Sequence, residues 1–212
     1  RILFRSAFPA FRKNEEMSTI RLAIAGASGR MGRMLIEAAL KDEGVVFASA
    51  FDRPGTPHIG RDAGELLGTH CGVAIVDDPR AAIAAADCVI DFTRPEGTLV
   101  HLQIARELGK AMVIGTTGFD ASGKAAIARA AEDIPVVFAP NMAVGVNAVF
   151  KLLEVAARIL NEGYDVEVIE AHHRMKKDAP SGTALMLGEA AADGRGQDLA
   201  NVRGAPRDGI GE

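Results

Sequence analysis

The sequence predicts an α/β fold, an open parallel sheet with helices on both faces, followed by a smaller α+β domain. Three observations predict it. Short apolar runs alternate with helix-like segments up to about Asn141, a glycine-spaced turn follows the first run, and after Asn141 the alternation gives way to a long helix.

The runs are IRLAIAG (20–26), VVFASAF (45–51), CVIDFT (88–93), AMVIGTT (111–117) and IPVVFAP (134–140). Each is rich in Val, Ile or Phe and is broken off by Gly, Pro, Asp or Thr. Apolar residues at successive positions suit strands covered on both faces. GVAIVDD (72–78) reads as a further strand. Between the runs, GRMLIEAALKD, TLVHLQIARELGK and SGKAAIARAAED place apolar residues at helical spacing. Such β-α repetition builds a parallel sheet. Beyond it, VGVNAVFKLLEVAARIL (144–160) reads as one long helix. YDVEVIEAHH (164–173) alternates Val166, Val168 and Ala171 with acidic positions, the pattern of a strand with one solvated face. The expected domains are therefore residues 17–141 and 142–212.

Of the 212 residues, 48% are hydrophobic and 25% charged, enough for a substantial core. A formal net charge of -4 argues against nucleic acid held by bulk positive charge. No apolar run approaches the roughly 18 residues of a membrane helix. Cys71 and Cys88 lie 17 positions apart, a spacing that suggests neither a disulfide framework nor a zinc site. Two reduced, partly buried thiols in a cytoplasmic protein is the simpler reading. RILFRSAFPAFRKNEE (1–16) is set outside the fold as an extension, because MSTIRLAIAG reads like a natural start at Met17. NVRGAPRDGIGE, at the other end, closes no element.

The turn LAIAGASGRMGRM carries Gly26, Gly29 and Gly32 between the first strand and a helix. Glycine allows a tight turn and lets backbone amides approach a pyrophosphate, which the helix N-terminus stabilises. G-x-x-G-x-x-G alone is a weak signal, but this fingerprint expects an acid about 20 positions on, at the end of the second strand. Asp52 stands there, 20 residues after Gly32. The expected cofactor is NADH or NADPH on a Rossmann-like sheet. Asp52 suits the ribose hydroxyls of NADH, whereas Arg53 can pair with a 2′-phosphate. Gly115, Thr116 and Thr117, ending a later strand, are candidates for the nicotinamide half, with Ala139, Pro140, Asn141 and Met142 beside them. Arg94 in RPEG (94–97) reads equally as a cleft residue or a surface charge.

EAHHRMKKDAPSGTA (170–184) gathers His172, His173, Lys176 and Lys177 just before a helix start. Adjacent histidines on a strand point to opposite faces, so one reaches a site while the other packs or orients it. That divergence, with no third clustered His and no Cys, argues against a metal. Ser181 is a natural N-cap, and the amides of Gly182, Thr183 and Ala184 would then face an anion. Imidazole gives protons near neutral pH. A substrate bearing carboxylates is the economical inference. His58, His70 and His101 have no evident partners and read as structural or solvated.

With GASGRMG, GTTGF and NMAVGVN, this last segment resembles the 4-hydroxy-tetrahydrodipicolinate reductase (dihydrodipicolinate reductase) family, over about Arg21 to Ala192. The resemblance implies a nicotinamide-binding domain, a smaller α+β substrate domain continuing past Glu212, and a homotetramer. By position, Gly26, Ala27, Ser28, Gly29, Arg30 and Met31 match the family's cofactor loop. Asp52 and Arg53 match its ribose contacts, and Gly115–Thr117 with Ala139–Met142 its other cofactor loops. His172 matches its proton donor and Lys176 its catalytic lysine. His173, Gly182 and Thr183 match its substrate contacts, and the Ser181–Thr183 helix start would neutralise a carboxylate. The implied substrate is a small cyclic dicarboxylate. From the residues alone two alternatives stay open, a Rossmann reductase for another small carboxylate and a non-catalytic NAD(H)-sensing module.

Overall fold

The computed structural model describes residues 19–174 and 179–204. The chain divides into two compact units, the first ending at Ala139 and the second starting at Pro140. The first unit is built on six strands: β1 (Ile20–Ala25), β2 (Val45–Phe51), β3 (Ile75–Val76), β4 (Cys88–Asp91), β5 (Ala111–Ile114) and β6 (Val136–Phe138). They pair in the order β3-β2-β1-β4-β5-β6, every neighbour parallel. This is the doubly wound order, and its direction reverses between β1 and β4.

Alternate residues of β1 feed opposite faces. Leu22 and Ile24 pack with Phe47 and Ala50 of β2 under helix α1 (Arg30–Lys41), where Ile36 and Ala39 are buried. Ala23 and Ala25 belong to the other face. There they pack with Ala82 and Ile83 of α2 (Pro79–Ala84), Leu102 and Ala105 of α3 (Pro95–Glu107), and Ile127 and Ala130 of α4 (Ala121–Ala130). Full burial of each such large aliphatic side chain contributes roughly 1.5–3 kcal/mol. The β1–β2 register shifts between Leu22 and Ala23, so Phe47 and Ala50 share one face although three positions separate them. Ser49 then turns to the other face, where its hydroxyl donates to the Ala82 carbonyl at 2.8 Å.

Two local signals went unread in the sequence. Asp78 caps α2, accepting from the Arg80 and Ala81 amides, with Pro79 at the first helical position. A 3-10 turn at Ala63–Leu67 hangs on Asp62, which accepts from the amides of Gly64, Cys71 and Gly72. The run expected at 72–78 joins the parallel sheet only through Ile75 and Val76, and Ala74 bridges antiparallel to Asp62.

The second unit contains α5 (Val144–Ile159), α6 (Gly182–Gly194) and α7 (Leu199–Val202). Gly194 lets α6 lie against α5, because a methyl there would overlap the Glu154 carbonyl. The alternating segment 164–173 forms no strand. Among the described residues of this unit no other extended segment offers it a ladder, and an unpaired strand has no backbone bonds to hold it. Its apolar side chains are open, Ile169 being 90% exposed. Among the described residues no helix is long and apolar enough to cross a membrane.

Gly32 is packed directly against backbone in the first unit. A methyl group there would meet the carbonyl oxygen of Gly26 and the Ala27 backbone, where nothing flexible can yield. Gly32→Ala is expected to destabilise the protein by about 1–3 kcal/mol through overpacking, read as a lower Tm in scanning calorimetry.

Candidate functional site

The glycine turn leaves β1 at the reversal of the strand order, where open α/β sheets bind ligands. Gly26 has φ of 64°, which favours glycine, and its carbonyl accepts from the Gly29 amide at 2.9 Å. The Ala27 amide donates to the Phe51 carbonyl at the end of β2 at 3.2 Å. Gly29 is the N-cap of α1 and offers no side chain to cap it, and no acid occupies the first turn. The amides of the first helical turn have no intrahelical acceptors. An uncapped, acid-free helix start behind a glycine turn fits a pyrophosphate.

Asp52, at the end of β2, meets this turn directly. Its Oδ2 accepts from the Ser28 amide at 2.9 Å and the Ser28 hydroxyl at 2.5 Å, and its Oδ1 accepts from the Arg53 amide at 2.8 Å. Gly26, Ala27, Ser28 and Asp52 are thus gathered into one cradle. Three donors fix the carboxylate while leaving acceptor capacity for ribose hydroxyls. Arg30, Met31 and Arg53 stand exposed beside it in the chain.

The loop after β4 closes the other side of the turn. Thr93 lies so near that its methyl is 2.8 Å from where a Cβ on Gly26 would sit. This loop is organised by Asp91, the last residue of β4, which has no exposed surface. Asp91 Oδ1 accepts from the Thr93 amide at 2.8 Å and from the hydroxyls of Thr93, Thr98 and Thr116 at 2.7, 3.0 and 3.3 Å. Its Oδ2 lies 2.7 Å from Nδ1 of His101, whose ring stands edge-on to Phe51 at 4.9 Å. His101 is therefore paired, contrary to the partnerless reading. No local pattern could reveal this, since the two residues lie ten positions apart on a strand and a helix.

Thr116 is 4% exposed and its hydroxyl is committed to this network. Thr117 is exposed. Gly115 is a glycine because a methyl there would collide with the Phe92 ring. Ala139, buried, donates from its amide to the Ile114 carbonyl at 3.1 Å. In the second unit, Asn141 Oδ1 accepts from the Ala143 amide at 2.9 Å, and the Asn141 carbonyl accepts from Asn147 Nδ2 at 3.0 Å. Pro140 and Met142 on either side of it are exposed.

The second cluster lies in the second unit. His172 Nε2 lies 2.8 Å from Glu170 Oε2, and Glu170 Oε1 accepts from the Ser181 amide at 2.9 Å. Hydrogen bonds from the Ser181 hydroxyl and amide, then from His172, hold the Glu170 carboxyl down at about 2. Ser181 is 5% exposed and caps α6 by accepting from the Ala184 amide at 3.1 Å. The Ala184 amide is thus consumed by the cap, which leaves the Gly182 and Thr183 amides for an anion. His173, Gly182 and Thr183 are exposed. Lys176 and Lys177 lie outside the described residues. Neither cysteine shows the character of a nucleophile, since burial pushes both thiols up, Cys88 to about 11.

Two family models match this chain, dihydrodipicolinate reductase N-terminus over residues 20–142 and dihydrodipicolinate reductase C-terminus over residues 145–211. The chain belongs to the dihydrodipicolinate reductase family. It is 73% identical over 199 residues to the 4-hydroxy-tetrahydrodipicolinate reductase of Aromatoleum aromaticum, spanning 94% of this chain and 72% of that one. It is 62% identical over 194 residues to the enzyme of the same name from Dechloromonas aromatica, spanning 92% and 72%. Its fold matches the dipicolinate-bound dihydrodipicolinate reductase of Paenisporosarcina sp. TG-14 with a TM-score of 0.66 and 26% identity, over 91% of this chain and 72% of that one.

Asp91 supplies a test of the first unit. Burial pushes its carboxyl up, but bonds from His101 and Thr93 outweigh burial and leave it below its ordinary value. A group depressed on folding contributes its full stability above its unfolded value and loses it as pH falls through the lower folded value. Asp91→Asn is expected to cost about 3 kcal/mol at neutral pH. Urea titrations should show that gap narrowing as the pH drops below about 4.

Proposed function

We propose that this protein reduces 4-hydroxy-tetrahydrodipicolinate to tetrahydrodipicolinate with NADH or NADPH, in the biosynthesis of diaminopimelate and lysine. The observation that carries this is the 73% identity to a reductase of that name, over nearly the whole chain. Residues 17–141 serve as the dinucleotide-binding domain and residues 142–212 belong to the substrate domain. The bound cofactor supplies the hydride.

The protein's own residues hold and orient. The first-turn amides of α1 take the pyrophosphate, with Gly26, Ala27, Ser28, Gly29, Arg30 and Met31 shaping the loop. Asp52 accepts from the adenine ribose, and the Arg53 guanidinium faces a 2′-phosphate when NADPH is used. Gly115 and Thr117 serve the nicotinamide end by backbone and surface groups, since the Thr116 hydroxyl is already engaged. Ala139, Pro140, Asn141 and Met142 complete the cofactor loops.

Loss of the 4-hydroxyl as water gives a conjugated C=C/C=N system, and hydride addition to it leaves electron density that must collect a proton. His172 delivers it. Lys176 and the α6 start at Ser181, Gly182 and Thr183 neutralise the substrate carboxylates, with His173 as a further contact. The dicarboxylate dipicolinate bound to the Paenisporosarcina enzyme supports a site of this charge. A cytoplasmic homotetramer is the assembly proposed. Free cysteines are consistent with that compartment, and the open apolar side chains of α5 and of residues 164–169 with burial in an assembly. An enzyme whose light-scattering mass stays that of one chain would overturn the tetramer.

The decisive assay follows NADH and NADPH oxidation with enzymatically generated substrate. Pyridine-2,6-dicarboxylate should inhibit competitively against the substrate, and no such competition is expected of a reductase for another class. Stoichiometric NADH binding without oxidation, with substrate present, would instead favour a sensor. His172→Gln should lower kcat by about 10²- to 10⁴-fold while NADH affinity holds. Lys176→Ala should reduce kcat and raise the substrate KM together. Equal loss of NADH binding in both variants would mark the residues as structural.

A further inference from the structure

The carboxylate of Glu170 touches two parts of the proposed substrate site at once. One oxygen meets His172 Nε2 at 2.8 Å, and the other accepts from the Ser181 amide at 2.9 Å. Ser181 is the N-cap of α6, so the second bond fixes the helix start that would receive a substrate carboxylate. Glu170 is itself only partly exposed, its side chain at 26% against 38% for His172.

The chemistry of the acceptor settles the imidazole. Held at about 2, Glu170 is ionised at neutral pH and can only accept. His172 must then donate through Nε2, and its neutral ring carries that hydrogen. The nitrogen left to bind and release a transferable proton is Nδ1. The same division of labour operates wherever a carboxylate orients a catalytic imidazole by one nitrogen so that the other does the work.

We infer that Glu170 is a positioning residue for the reduction, holding the His172 ring by Nε2 so that Nδ1 delivers the proton, and anchoring the α6 start through the Ser181 amide. The inference rests on the reading of His172 as proton donor. One carboxylate thereby sets the spacing between the proton and the bound anion, which a protonation step requires to be fixed.

Glu170→Gln separates the two tasks. Glutamine Oε1 can still accept from the Ser181 amide, but its NH2 then faces His172 and forces Nε2 to accept, moving the ring hydrogen to Nδ1. Glu170→Ala removes both contacts. Steady-state kinetics of the enzyme with enzymatically generated substrate should show kcat falling about tenfold or more in Glu170→Gln, with the substrate KM within about twofold of wild type. Glu170→Ala should lose kcat and also raise the substrate KM, and neither variant should change the KM for NADH. Imidazole 15N shifts should report the Nε2–H tautomer for His172 in the wild type and the Nδ1–H tautomer in Glu170→Gln. Wild-type kcat in Glu170→Gln, alongside a dead His172→Gln, overturns the role of Glu170 and leaves His172 as donor. Wild-type kcat in His172→Gln overturns the donor itself. An unchanged His172 tautomer in Glu170→Gln also overturns the inference, whatever the rate, and the near-isosteric glutamine decides the matter if Glu170→Ala fails to fold.

Discussion

A carboxylate with no exposed surface must be saturated with donors, and Asp91 is where the first unit meets that demand. Its partners come from the loop after β4, from two turns of α3 and from the loop after β5. The edge-on contact of His101 with Phe51 extends the network to the end of β2. Four segments at the carboxyl edge of the sheet are thereby held in one arrangement. Thr93, itself bound to Asp91, then presses its methyl against Gly26. The glycine turn is shaped from below by this polar knot.

The same logic recurs at Asp52 and Glu170. Asp52 is fixed by Ser28 and the Arg53 amide, and Glu170 by His172 and Ser181. In each case a carboxylate accepts from a backbone amide and from a side chain. Charge-assisted bonds of this kind are the strong ones, and two anchors leave a side chain little rotational freedom. Asp52 and Glu170 differ from Asp91 in being partly exposed. Preorganised charge is the common device.

The two glycines that matter most here do so by absence of a side chain. Gly32 lets α1 start directly over the β1 turn, and Gly115 makes room for the Phe92 ring beside the Asp91 network. The first was legible as part of a spacing pattern. The second was legible only as a strand-ending glycine, because its neighbour Phe92 comes from the loop after β4.

The strands, α1, α3, α4 and α5 were written in the sequence, because hydrophobic period and turn residues act over a few positions. So were the glycine turn, Asp52 at its proper distance, and the chemical character of the segment around His172. The segment at 164–173 had the alternation of a strand but not its bonds, since pairing is a property of two segments and not of one. Asp91 with His101, Ser28 with Asp52, and Glu170 with both His172 and Ser181 could not be read from the chain. Most join residues far apart in the chain, and even Glu170 with His172, two positions apart, needs the fold to set its geometry; only tertiary structure decides which polar groups meet and satisfy one another.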